Sequence, residues 1–161
     1  MYMHLSSMSE SQNMNLPMLP CLCGSMRRTV RALTQLYEKA LASTELTATQ
    51  MTILQVLTRA GEVTQGRLGE MLAMDSTSLT RTLAVMSRTG WVAERRGTDR
   101  RERWLSLSTA GRRKLKSAEP IWEQVQRRVR RELGDDGWDQ LMGLAQRLTV
   151  VLTKQDRVAE S

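Results

Sequence analysis

The chain carries two cysteines, Cys21 and Cys23, separated by one residue. Such a spacing can bring two thiols to one soft ion. Pro17 and Pro20 force an extended approach to the pair, Pro20 suits a first helical turn, and a helix is predicted from about Cys21 to Ala42. A helix N-terminus favours thiolate, the form that binds metals and attacks oxidants. A disulfide within the pair would close a very small, strained and easily reduced ring. A disulfide between two protomers is less strained, and chelation of a thiophilic ion needs neither. Two protomers would offer only sulfur, because the one histidine, His4, sits without a partner in the polar stretch ahead of the pair. Trivalent arsenic or antimony takes about three thiolates and copper(I) about two or three, whereas zinc would need about four. The plain alternative is two small apolar residues packed in an interface. Cys21 and Cys23 are thus the candidate metal or metalloid ligands, with a trivalent metalloid or another soft ion ranked ahead of an oxidant. No resident cofactor is required.

A second set of residues could touch a polyanion. Ser76, Thr77, Ser78, Thr80 and Arg81 share one face of a helix predicted over Ser76–Thr89, while Leu79, Leu83 and Met86 repeat at i, i+4 and i+7 and face inward. Short polar side chains approach base edges closely, and Arg81 can take guanine O6 and N7 in bidentate fashion. Asp75 or Ser76 can cap this helix, and Gly90 stops it. Ahead of it Val63–Leu72 reads as a shorter helix with an apolar stripe of Leu68, Met71 and Leu72. Thr64 and Gln65 near its start are candidate contacts, and Ala73-Met74-Asp75 is the turn. Two helices joined in this way make a helix-turn-helix. Trp91–Arg96 and Arg103–Leu107 read as strands, the second with strict alternation. Between them Gly97–Glu102 is a basic loop. The hairpin is predicted to project Arg95, Arg96, Arg100 and Arg101 at its tip, with Arg103 beside it, as a wing for phosphates or a narrow minor groove. An arginine run alone is usually a solvated surface. Here paired helices, a glycine stop, a basic hairpin and a helix start at Ser108–Gly111 coincide.

The run Asp99-Arg100-Arg101-Glu102-Arg103-Trp104-Leu105-Ser106-Leu107-Ser108-Thr109-Ala110-Gly111 resembles the wing signature of the MarR family. That signature is an Asp, any residue, an Arg, then an alternating strand ending at Leu, Ser/Thr and Gly. Ser76-Thr77-Ser78 with Leu79-Thr80-Arg81 is similar to the family's recognition helix. The resemblance spans roughly residues 27–152. It implies a dimeric winged-helix repressor that leaves its operator on meeting a ligand or an oxidant. It also implies that Asp99 orients a neighbouring arginine and that Arg101 enters the minor groove. A small aromatic ligand in the dimer cleft is common in that family and is the third-ranked effector.

The fold class expected is therefore mainly α with a small β-hairpin wing. Residues 1–20 form a flexible segment, 21–45 and 109–154 dimerisation helices, and 46–108 the winged helix-turn-helix. Thr47 with Gln50 makes a capping box for the helix ending at Gly61. Val30, Leu33, Leu36, Tyr37, Ala40 and Leu41 stripe the first helix. Leu115, Ala118, Trp122, Val125 and Val129 stripe the helix Thr109–Leu133, which Pro120 should kink. Gly134-Asp135-Asp136 separates it from a last helix, Gly137–Thr153, striped by Leu141, Leu144, Leu148 and Val151, and the tail from Lys154 should fray. A net charge of +7 over 161 residues favours double-stranded DNA as partner over a membrane. No run approaches the roughly 18 apolar residues of a spanning helix, and no secretion signal is evident, so a cytoplasmic protein is expected. An enzyme is not: there is no Ser/His/Asp set, phosphate-binding glycine loop or carboxylate cluster. A thiol oxidoreductase built on Cys21 and Cys23 would lack C-x-x-C. A basic RNA-binding or structural helical protein is the remaining class.

Overall fold

The computed structural model describes residues 16–99 and 102–159, with side chains as far as Thr153. The elements are α1 (Leu22–Leu41), a 3-10 turn (Ala42–Thr44), α2 (Ala48–Ala60), β1 (Val63–Thr64), α3 (Gln65–Leu72), α4 (Ser76–Arg88), β2 (Val92–Arg96), β3 (Arg103–Leu107) and α5 (Thr109–Ala159). The result is mainly helical with a three-stranded antiparallel sheet ordered β1-β3-β2. The described residues fall into two compact units divided within α1, between Leu33 and Thr34. Of the flexible segment expected over 1–20, residues 1–15 and His4 with them lie outside the described residues.

The second unit holds the core. Leu41, Met51, Ile53, Leu54 and Leu57 meet Leu68 of α3, Leu79, Leu83 and Met86 of α4, Leu105 and Leu107 of β3, and Leu115 and Ala118 of α5. Each helix end has a stated cause. Thr47 and Gln50 form the reciprocal capping box of α2, and Gly61, at φ 74°, closes it. Thr64 caps α3 by accepting from Arg67 N, and Asp75 caps α4 by accepting from Ser78 N at 2.8 Å. Ser108 caps α5: its Oγ accepts from Gly111 N at 2.9 Å.

Four expectations need correction. Val63 and Thr64 are not helical; these β-branched residues pair with β3, Val63 opposite Leu105 and Thr64 opposite Trp104, which makes the hairpin a three-stranded sheet. Met71 is exposed, because the short α3 turns Leu68, Gly69 and Leu72 inward instead. Pro20 and Cys21 precede α1, whose first residue is Leu22. The backbone past Lys154 stays helical to Ala159. In α5 Pro120 is carried within the helix, and the break comes at Gly134, at φ 71° and ψ 164°.

The α4 cap makes stability depend on pH. The Ser78 N–H and hydroxyl, and then the Thr77 N–H, hold the Asp75 carboxyl below the ordinary aspartate range. A lowered folded pKa gives stability that is present above the unfolded value, about 3.9, and is lost as pH falls through the folded one. Asp75→Asn keeps a capping oxygen and cannot titrate. Urea midpoints of the two proteins should differ at neutral pH and converge in acid below the aspartate range. A difference that stays constant with pH would show that the charge at this cap contributes nothing.

Candidate nucleic-acid interface

Helix α4 is buried on one side only. Leu79, Leu83 and Met86 are within the core, whereas Ser76, Thr77, Ser78, Thr80 and Arg81 are all exposed. The periodicity of the sequence leads directly to this division. No hydrogen bond or ion pair holds Arg81 among the described residues, so its guanidinium is available to a ligand. Helix α3 lies against α4, and one polar contact links them: Gln65 Nε2 donates to Thr80 Oγ1 at 2.8 Å. The Thr64 hydroxyl oxygen accepts from Arg67 N at 3.2 Å and so caps α3.

The wing is ordered by its register, which runs from Val92 opposite Leu107 to Arg96 opposite Arg103. At its tip Gly97 N donates to Glu102 O and Glu102 N to Asp99 O. Arg95 does not stand at that tip. It lies opposite Trp104, with its guanidinium 4.9 Å from the ring centroid, and donates through Nε and Nη2 to the two carboxylate oxygens of Glu62. Hydrogen bonding and the charge of Arg95 hold the Glu62 carboxyl below the ordinary range. Arg103 pairs with Glu94, which also accepts from the Ser87 hydroxyl. Burial pushes the Glu94 carboxyl up, and the bonds from Ser87 and Arg103 outweigh it, so it too is lowered. Arg96 is exposed and held by no described residue. Asp99 is exposed, and Arg100 and Arg101 lie outside the described residues.

Glu62, Ser87 and Glu94 are therefore supports of the wing that the sequence did not single out. Glu62 and Arg95 are 33 positions apart, and the β1-β3-β2 sheet brings them together.

The profile of the MarR family matches residues 44–102, which runs from the turn before α2 to the tip of the wing. MosR of M. tuberculosis, in a structure with DNA, is 33% identical, with a TM-score of 0.75 over 83% of this chain and 97% of that one. A second MosR structure is 31% identical, with a TM-score of 0.73 over 84% and 97%. The chain belongs to the MarR family. A mutant MarR of E. coli complexed with operator DNA shares the fold, at 23% identity and a TM-score of 0.69 over 78% of this chain and 91% of that one. None of the curated proteins matches the sequence.

In this MarR-family chain the candidate effector pair belongs to the first unit. Cys21 accepts at its carbonyl from Ser25 N, 3.0 Å away, and so occupies the capping position of α1, with Cys23 in the first turn. Both are exposed and neither is in a disulfide. The approaching segment is tied down where Arg28 Nη1 donates to Pro17 O at 2.8 Å. Among the described residues no three His, Cys, Asp or Glu side chains are grouped to hold a metal ion. No helix among them is long and apolar enough to cross a membrane.

Proposed function

We propose that the chain is a homodimeric, DNA-binding transcriptional repressor that releases a palindromic operator when Cys21 and Cys23 bind a thiophilic effector, trivalent arsenic or antimony first. The observation that carries the DNA reading is the exposed polar face of α4, with unpaired Arg81, beside a basic wing. MosR and MarR, in structures with DNA, support it. Dimerisation has a physical motive, since one short recognition helix rarely supplies specificity and two read half-sites about one turn apart. Leu22, Met26 and Val30 on α1, and Leu141, Leu144 and Val151 on α5, leave apolar surface for a second chain. The repressor works in the cytoplasm, beside its operator, and its function is binding rather than catalysis.

The effector reading rests on two exposed thiols one residue apart at the start of a helix. One pair supplies two sulfurs, and a trivalent metalloid completes its pyramid with a sulfur of the second protomer. Fixing the start of α1 to the partner alters the separation of the two α4 helices and breaks their register with the grooves. A coupling of about 1–3 kcal/mol suffices to change operator affinity about five- to 150-fold.

The test selects a palindromic duplex from a random pool and follows its binding to reduced protein by fluorescence anisotropy. Antimonite or arsenite should release the duplex. Peroxide should do so less well, because the local disulfide is strained. Cys21→Ser and Cys23→Ser should each bind the duplex and fail to release it. If both variants respond normally to whatever releases the parent protein, the pair is a packing feature, and a small aromatic ligand takes its place. Preference for single-stranded RNA would overturn the DNA reading itself.

A further inference from the structure

The Gln65–Thr80 contact departs from the commonest threonine contact in the helices. Six helical threonines, Thr29, Thr52, Thr58, Thr82, Thr149 and Thr153, turn their hydroxyl protons back to the carbonyl four residues earlier. Thr82 does so on α4 itself, to Ser78 O at 3.0 Å. Thr80, two positions before it, makes no such bond among the described residues. Its oxygen instead accepts from Gln65 Nε2 at 2.8 Å. The other end of the same amide is costly: Gln65 Oε1 is buried and has no hydrogen-bond partner. The reverse orientation of the amide would strand an NH2 group there, two donors rather than one acceptor, at greater cost. A buried acceptor left unpaired brings nothing to the fold, which points to a use for the amide outside it.

With one of its two lone pairs taken by Gln65 and no bond back along the helix, the Thr80 hydroxyl keeps its proton and one lone pair for a partner on the exposed face that carries Arg81. We infer that Gln65 is a positioning residue that biases Thr80 toward donating, so that α4 prefers an acceptor-bearing base edge in the major groove. Guanine N7 or O6, adenine N7 and thymine O4 satisfy such a donor, whereas the cytosine amino group meets only the one lone pair that Gln65 leaves. This rests on the DNA-binding reading proposed above and adds a one-position preference to it. An unconstrained threonine hydroxyl would rotate to suit either kind of edge.

The experiment measures full-length protein on its selected operator and on every single-base variant of one half-site. Thr80→Val and Gln65→Leu should each lose roughly threefold to tenfold discrimination, the worth of one hydrogen bond, at one and the same position, while other positions keep theirs. Thr80→Ser should restore it. Gln65→Glu removes the donor and accepts the threonine proton, so the preference at that position should move toward bases offering an amino group, over and above a uniform weakening from its charge. Melting curves confirm that the variants are folded, and Gln65→Glu, close to isosteric, serves where Gln65→Leu is not. Loss spread evenly over all positions would show a phosphate contact and overturn the inference. Different positions for the two variants would overturn it as well. A parent protein with no preference for any duplex would instead sink the DNA-binding reading, a distinguishable failure.

Discussion

Gly111→Ala is expected to destabilise the fold by about 3 kcal/mol and lower the melting temperature by about 6–12 °C. A Cβ at this buried position would sit 2.1 Å from Trp91 O and 2.8 Å from Leu107 Cδ1. The first of these is backbone and cannot swing aside. It is also committed, since Trp91 O accepts from Ser108 N at 3.1 Å and from Ser108 Oγ at 3.0 Å. Admitting a methyl group means parting the start of α5 from the end of α4 and breaking these bonds with it. Alanine's better helix propensity offsets only about 1 kcal/mol, so the clash decides the sign. Gly66→Ala is the internal control. Its Cβ would meet nothing within 4 Å, and α3 is helical there, so the same exchange should be neutral or stabilise by up to about 1 kcal/mol. Thermal unfolding followed by circular dichroism reads both. Equal melting temperatures for parent and Gly111→Ala would mean that the junction yields at little cost and that the glycine is not required for packing.

This junction also shows what was legible in the sequence. Leu105, Leu107, Ser108 and Gly111 stand at spacings that announce a strand running into a capped helix, and the structure places them so. The inward stripe of α4 and the capping box of α2 were equally plain, because period and cap chemistry are local properties. Val63 and Thr64 were misread because their strand exists only through β3, some 40 residues away. Among the wing arginines, Arg95 is misplaced at the tip for the same reason. Counting them gives a uniformly basic tip, but the acids at Glu62 and Glu94 claim Arg95 and Arg103 through tertiary pairing. These pairs are exposed, so their contribution to stability is small. Their effect is on placement: they fix where two positive charges stand and leave Arg96 as the described wing cation free to move. Gln65 stands in the sequence as a candidate contact, but its bond to Thr80, 15 positions on, leaves no local signal.

Leu144→Asp should convert the protein to a folded monomer and weaken binding to the palindromic operator by about 10²- to 10⁴-fold, the loss expected when a second linked site no longer engages. The argument starts from spacing. Leu141, Leu144, Leu148 and Val151 recur at three, four and three, the seam of a helix that packs against another helix. Within its own unit most of this seam is not satisfied: Leu144 is 56%, Val151 54% and Leu141 40% exposed, with Leu148 half-buried. A continuous apolar stripe of this kind marks an interaction surface. The core of the winged region is built from other residues, so an aspartate here should leave the monomer folded. In the dimer it would bury an unpaired carboxylate, which costs about 3–5 kcal/mol at each such site. Sedimentation gives the mass, circular dichroism the helix content, and anisotropy the affinity for whole and half operators. Half-operator affinity should be nearly unchanged, because α4 and the wing are untouched. If Leu144→Asp proves unfolded, Val151→Asp, at the same seam and nearer the end of the helix, takes its place. A stable dimer with parental affinity from either variant would move the interface away from this helix.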